Sequence, residues 1–102
     1  MNTINLLGRI ANRPEVKTTS TGKSKLFFTL AVSRPYTKDT TDFISCIAWE
    51  KTAMFITEYF PKGQMIGITG SLRCDSWKDD RGAMNYRTDV HVENAYFTGD
   101  KR

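Results

Sequence analysis

At 102 residues, 39% of them hydrophobic and 25% charged, the chain has the size and balance of one small globular domain. The formal charge of +4 is unevenly placed: residues 1–38 hold seven Lys/Arg against one acid, and residues 39–102 hold eight against ten. No apolar run nears the roughly 20 residues that a membrane span needs, and the start MNTINLLGRIANRP lacks the order of a secretory signal, so a cytoplasmic setting is expected.

The pattern in chain order is mostly strand. INLLGRIA starts a strand at Ile4, with Ile4, Leu6 and Ile10 on one parity and Gly8 marking a bend. EVKTTSTGKSKLFFTLAV reads as two extended arms about the turn Ser20-Thr21-Gly22-Lys23. In the second arm Leu26, Phe28, Leu30 and Val32 form a core face, and Lys25, Phe27, Thr29 and Ala31 take the other. A polar loop, SRPYTKDTT, leads to DFISCIAWEK, where Ile44, Cys46 and Ala48 alternate with Phe43, Ser45, Ile47 and Trp49.

KTAMFITEYF then breaks the period of two. Ala53, Ile56, Tyr59 and Phe60 line one side of a short helix that Pro61 and Gly63 end. Two long strands close the chain. In the first, Ile66, Ile68, Leu72 and Cys74 share a parity with Gly70, opposite Ser71, Arg73, Asp75 and Trp77. In the second, Tyr86, Thr88, Val90 and Val92 face away from Arg87, Asp89, His91 and Glu93; KDDRGA is the polar turn between them. Strand, strand, strand, helix, strand, strand within about 100 residues suits an all-β, five-stranded OB-fold Greek-key barrel with one short helix between strands 3 and 4.

The face away from the core is unusual. Phe43, Trp49 and Trp77 lie on it, and Tyr36 sits in the basic loop before it. Arg34, Lys38, Lys51, Arg73 and Lys78 interleave with these rings. Rings that stack bases and cations that neutralise phosphates suit single-stranded nucleic acid, whose base faces a duplex hides. Exposed aromatic rows also serve dimer interfaces and second small cores, and Ile47 on the same face has no stacking chemistry.

The chain resembles the N-terminal OB domain of bacterial and phage single-stranded DNA-binding proteins. The resemblance runs nearly end to end through LLGRIANRPEVK, FFTLAVSRPY, TDFISCIAWEKTA, EYFPKGQMIGITGSLR, SWKD and NYRTDVHVENAYF. It implies one domain over residues 1–102, sequence-independent single-stranded DNA binding in replication, recombination or repair, a cytoplasmic, nucleoid-associated setting and a homotetramer. It implies stacking on Tyr36, Phe43, Trp49 and Trp77, and phosphate contacts from Lys17, Arg34, Lys51, Lys62 and Arg73. Tyr59 is either structural or borders the DNA path. The family's acidic tail, which recruits replication and repair enzymes, is absent from a sequence that ends YFTGDKR, so recruitment through it is not inferred.

Two other binding readings remain open. One is a dimer resembling the primosomal replication protein of fork restart, and the other an OB module that binds protein or glycan with weak salt dependence. An enzyme lacks its parts: no Gly-rich phosphate loop, nucleophile elbow or metal-ligand cluster occurs, and no cofactor is called for. Asp79 and Asp80 belong to a turn, and His91 stands alone on the surface of the last strand. Cys46 and Cys74 form no CxxC pair and with one histidine make no zinc site; both read as buried, reduced thiols.

Overall fold

Alternation builds the sheet. The computed structural model describes residues 1–37 and 39–99, so Lys38 lies outside the described residues. The strands are β1 (Ile4–Ile10), β2 (Glu15–Thr18), β3 (Ser24–Ser33), β4 (Thr41–Trp49), β5 (Met65–Lys78) and β6 (Met84–Tyr96), with helix α1 (Glu50–Tyr59) between β4 and β5. In β3 the buried residues are Leu26, Phe28 and Leu30, each separated by one residue that faces outward.

The sheet order is β1-β5-β6-β4-β3-β2, and β1 also pairs with β3 through Arg9 and Ile10. That second pairing closes five strands into a barrel and leaves β2, the first arm of the predicted hairpin, as a four-residue flank on β3. All pairings are antiparallel except β4 with β6, which meet in parallel at Cys46–Val90 and Ile47–His91. The helix therefore sits between the third and fourth barrel strands, as the element order predicts.

Two glycines make closure possible. Gly8 lies where β1 passes from β5 to β3, and a Cβ there would overlap the Ala31 carbonyl. Gly70 lies at a bulge between β5 and β6, where a Cβ would strike the His91 carbonyl. The core within the barrel joins Ile10, Leu26, Phe28, Leu30, Cys46, Ala48, Ile66, Ile68, Val90 and Val92 to Ala53, Ile56 and Phe60 of the helix segment. Each large aliphatic or aromatic side chain buried there contributes about 1.5–3 kcal/mol.

Several expected core residues are not core. Leu72, Cys74, Tyr86 and Thr88 are exposed, although each lies on the core parity. Beyond Leu72 the β5–β6 hairpin outruns the barrel: β1 pairs with β5 only up to Gly70, and β4 meets β6 only at Val90 and His91. Among the described residues the side chains of the projecting ribbon are mostly exposed, and Arg87 reaches back from it to the Phe27 ring at 5.4 Å. Tyr59 is also half-exposed; its ring lies 5.3 Å from that of Phe55 and 5.7 Å from that of Phe97.

The two hairpin tips share one device. Thr19–Lys23 and Asp79–Ala83 each close a three-residue loop with Gly22 or Gly82 in the left-handed region. Asp79 Oδ1 accepts from the Arg81 and Ala83 amides, and its Oδ2 from Asn85. These bonds, the Asn85 one foremost, hold the Asp79 carboxyl below its ordinary pKa. The acidic pair is turn architecture, as its sequence position predicts.

Candidate nucleic-acid interface

The outer face of the barrel is built in rows across the strands. One row runs Phe27 (β3), Ile47 (β4), His91 (β6) and Ser71 (β5). A neighbouring row sets Lys17 (β2), Lys25 (β3) and Trp49 (β4) side by side. Phe43 lies six residues from Trp49 on the same face of β4, about 20 Å along the strand.

Ile47 lies on the parity away from the core, as its alternation predicts. It points outward yet is only 4% exposed, because Phe27 and His91 flank it across the strands. Outside the barrel there is thus a small second apolar seam beneath polar groups. His91 is likewise half-buried rather than a free surface histidine. Burial, then the charge of Arg73, holds its imidazole below its ordinary pKa, against the opposing pull of Asp89 and Asp75.

The four candidate stacking rings are accessible to different degrees. Tyr36 is fully exposed at 106%, on a backbone with φ of 66°. Phe43 is 69% exposed and Trp77, near the tip of the projecting hairpin, 49%. Trp49 is half-buried where β4 runs into α1, and it walls a cleft of about 390 Å³ with Thr19, Thr21, Lys23 and Glu50.

The candidate cations divide as well. Lys17 joins the aromatic face, with its Nζ 5.7 Å from the centre of the Phe27 ring. Arg73 is exposed on β5, opposite Asp89 of β6, and Lys51 is exposed in the first turn of α1. Lys62 lies past the other end of α1 and lines a separate cleft with Arg13, Pro14 and Thr57, away from the rings. Arg34 is engaged: its Nε donates to both oxygens of Asp42 at 3.0 Å, and a terminal nitrogen lies 2.9 Å from Oδ1. The hydrogen bond from Arg34 holds the Asp42 carboxyl below its usual range.

Residue patterning missed a ring–cation cluster on this face. Lys25 Nζ lies 4.9 Å from the Phe27 ring and 4.8 Å from that of Trp49, and the Arg87 guanidinium lies 5.4 Å from Phe27. Arg87 Nε donates to Asp89 Oδ2 at 2.8 Å, and Asp89 is 1% exposed. Asp89 Oδ1 and His91 Nε2 find no hydrogen-bond partner among the described residues. The outward parity of Lys25, Phe27, Arg87 and Asp89 was readable; their convergence depends on strand register, which no local pattern carries.

Cys46 is buried, and burial together with the charge of Asp89 pushes its thiol up to about 12. Cys74 is exposed, contrary to the expectation, because it rides on the projecting hairpin; its sulfur lies 3.3 Å from the Thr88 hydroxyl. Among the described residues no group of three or more His, Cys, Asp or Glu side chains could hold a metal ion. No helix of the described residues is long and apolar enough to cross a membrane.

Residues 1–98 match the single-strand binding protein family. A single-stranded DNA-binding protein of Clostridium perfringens is 41% identical over 95% of this chain and 65% of its own length. Single-stranded DNA-binding protein 1 of Nostoc is 36% identical over all of this chain and 87% of its own length. Single-stranded DNA-binding protein 2 of Listeria monocytogenes is 32% identical over 99% of this chain and 66% of its own length.

Proposed function

Because the chain belongs to the single-strand binding protein family, we propose that it binds single-stranded DNA without sequence preference and holds it unpaired during replication, recombination or repair. The observation that carries this is the outer face itself. Accessible rings at Tyr36, Phe43, Trp49 and Trp77 lie on or beside a surface where Lys17, Lys25 and Arg87 gather. Each stacked base is worth about 1–3 kcal/mol, and any base offers a π-face, so this mode does not select sequence. Lys17, Arg73, Lys51 and Lys62 meet phosphates, and Arg34 joins them when a phosphate displaces Asp42. The role is binding rather than catalysis and uses no cofactor or metal. The family relationship supports a homotetramer as the working assembly; light scattering reads the subunit number directly.

The test is a titration with oligothymidylate followed by tryptophan fluorescence, with duplex DNA as control. The expected result is quenching by the single strand alone. Affinity should fall with salt at a log–log slope of about −0.7 per phosphate neutralised. Equal binding of duplex would remove the single-strand reading, and a flat salt dependence would leave the face to a protein or glycan ligand.

A further inference from the structure

Three cations from three strands converge on one ring. Lys17 of β2, Lys25 of β3 and Arg87 of β6 lie 5.7, 4.9 and 5.4 Å from the centre of Phe27. Register sets Lys17 directly opposite Lys25, and like charges so placed repel. Among the described residues neither lysine is ion-paired, while Arg87 is anchored by buried Asp89. Glu15, opposite Phe27 on β2, is the nearby acid on that flank, and it makes no salt bridge to them. The negative face of an aromatic ring is what offsets such a concentration of charge without neutralising it.

We propose that Phe27 is a positioning residue for the nucleic-acid backbone: its ring gathers Lys17, Lys25 and Arg87 into a preformed phosphate-binding cluster beside Trp49. This rests on the single-strand binding reading and assigns Phe27 a role other than base stacking. Lys25 is the link, since its ammonium lies within 5 Å of both rings, at 4.9 Å from Phe27 and 4.8 Å from Trp49. A base stacked on Trp49 brings its own phosphate to cations already in place. Long side chains that would otherwise be ordered at the moment of binding are ordered beforehand, and affinity gains accordingly.

The experiment replaces Phe27 with 3,4,5-trifluorophenylalanine, which keeps the shape and drains the electron density of the ring face. Binding of oligothymidylate and of inorganic tripolyphosphate is measured on the full chain, with thermal melting as the check on folding. The expected result is a melting temperature unchanged within a few degrees and a loss of roughly tenfold in affinity for both probes at low salt. The loss should vanish when Lys17, Lys25 and Arg87 are all alanine. Fluorinated protein that binds the oligonucleotide as well as or better than the parent would overturn the proposal, because a stacking ring tolerates electron depletion. So would a loss that persists undiminished in the triple-alanine background. If the parent chain fails to bind oligothymidylate at all, the underlying reading fails; the tripolyphosphate comparison then still decides whether Phe27 organises the cations.

Discussion

Tyr36 gives the sharpest test of the interface, because stability and binding should move in opposite directions. Its backbone sits at φ 66°, and its ring is fully exposed at 106%. Left-handed backbone costs an ordinary residue roughly 1–2 kcal/mol, and no packing is lost when this ring is removed. Tyr36→Gly relieves the strain, while the greater freedom of glycine in the unfolded chain returns about 0.4–1 kcal/mol. The net change is thus neutral to about 1.6 kcal/mol stabilising, which raises the melting temperature by up to about 13 °C in a domain of this size. Loss of one stacking platform should cost about 1–3 kcal/mol of binding, a drop in affinity of about 5- to 150-fold. Thermal melting without DNA and an oligothymidylate titration read the two quantities, with Tyr36→Phe as the ring-retaining control. A fall in melting temperature beyond about 5 °C would show that the ring packs on something and refute the strain argument. Unchanged affinity would remove Tyr36 from the interface.

Three further outcomes are expected. Gly70→Ala should destabilise by about 1–3 kcal/mol, since its Cβ must displace the His91 carbonyl at the bulge; denaturant unfolding measures it, and a neutral result would mean that the β5–β6 crossing relaxes freely. A thiol reagent on the native protein should modify Cys74 at once and Cys46 only after unfolding, because Cys46 is buried with its thiol pushed up to about 12; prompt labelling of two thiols would contradict the core assignment. Because the fold lowers the pKa of His91, the unfolded chain takes up its proton first as pH falls below about 6.5. His91 therefore contributes stability that is complete above that pH and declines below it, so melting temperature should drop between pH 7 and pH 5.5. His91→Val should flatten that window, and an unaltered profile would assign the decline to other groups.

The barrel was largely written in parity and punctuation. Leu26, Phe28 and Leu30 alternate, Ala53, Ile56 and Phe60 fall at helical spacing, and Gly8 and Gly70 mark the bends, so the core and its closure could be read locally. Parity names a face but does not say whether anything lies opposite it. That is why Leu72, Cys74 and Tyr86 lie on the core parity and are exposed, and why Ile47 lies on the opposite parity and is buried. The ring–cation cluster was hidden for a related reason. Phe27 meets Arg87 only through the register of three strands, and the parallel contact of β4 with β6 is fixed by the whole chain path.

The projecting hairpin has a mechanical consequence. Between Arg73 and Lys78 on one strand, and Met84 and Thr88 on the other, the ribbon is held by its own ladder, with Arg87 reaching back to the Phe27 ring of the barrel. Such a ribbon bends across its width far more easily than strands clamped on a core. Trp49, seated at the join of β4 and α1, is a fixed support, whereas Trp77 is carried near the end of a compliant arm. The span between these two rings is set by the curvature of the arm, so under the proposed binding mode flexing of the ribbon would fit that span to uneven base spacing while the barrel keeps its shape.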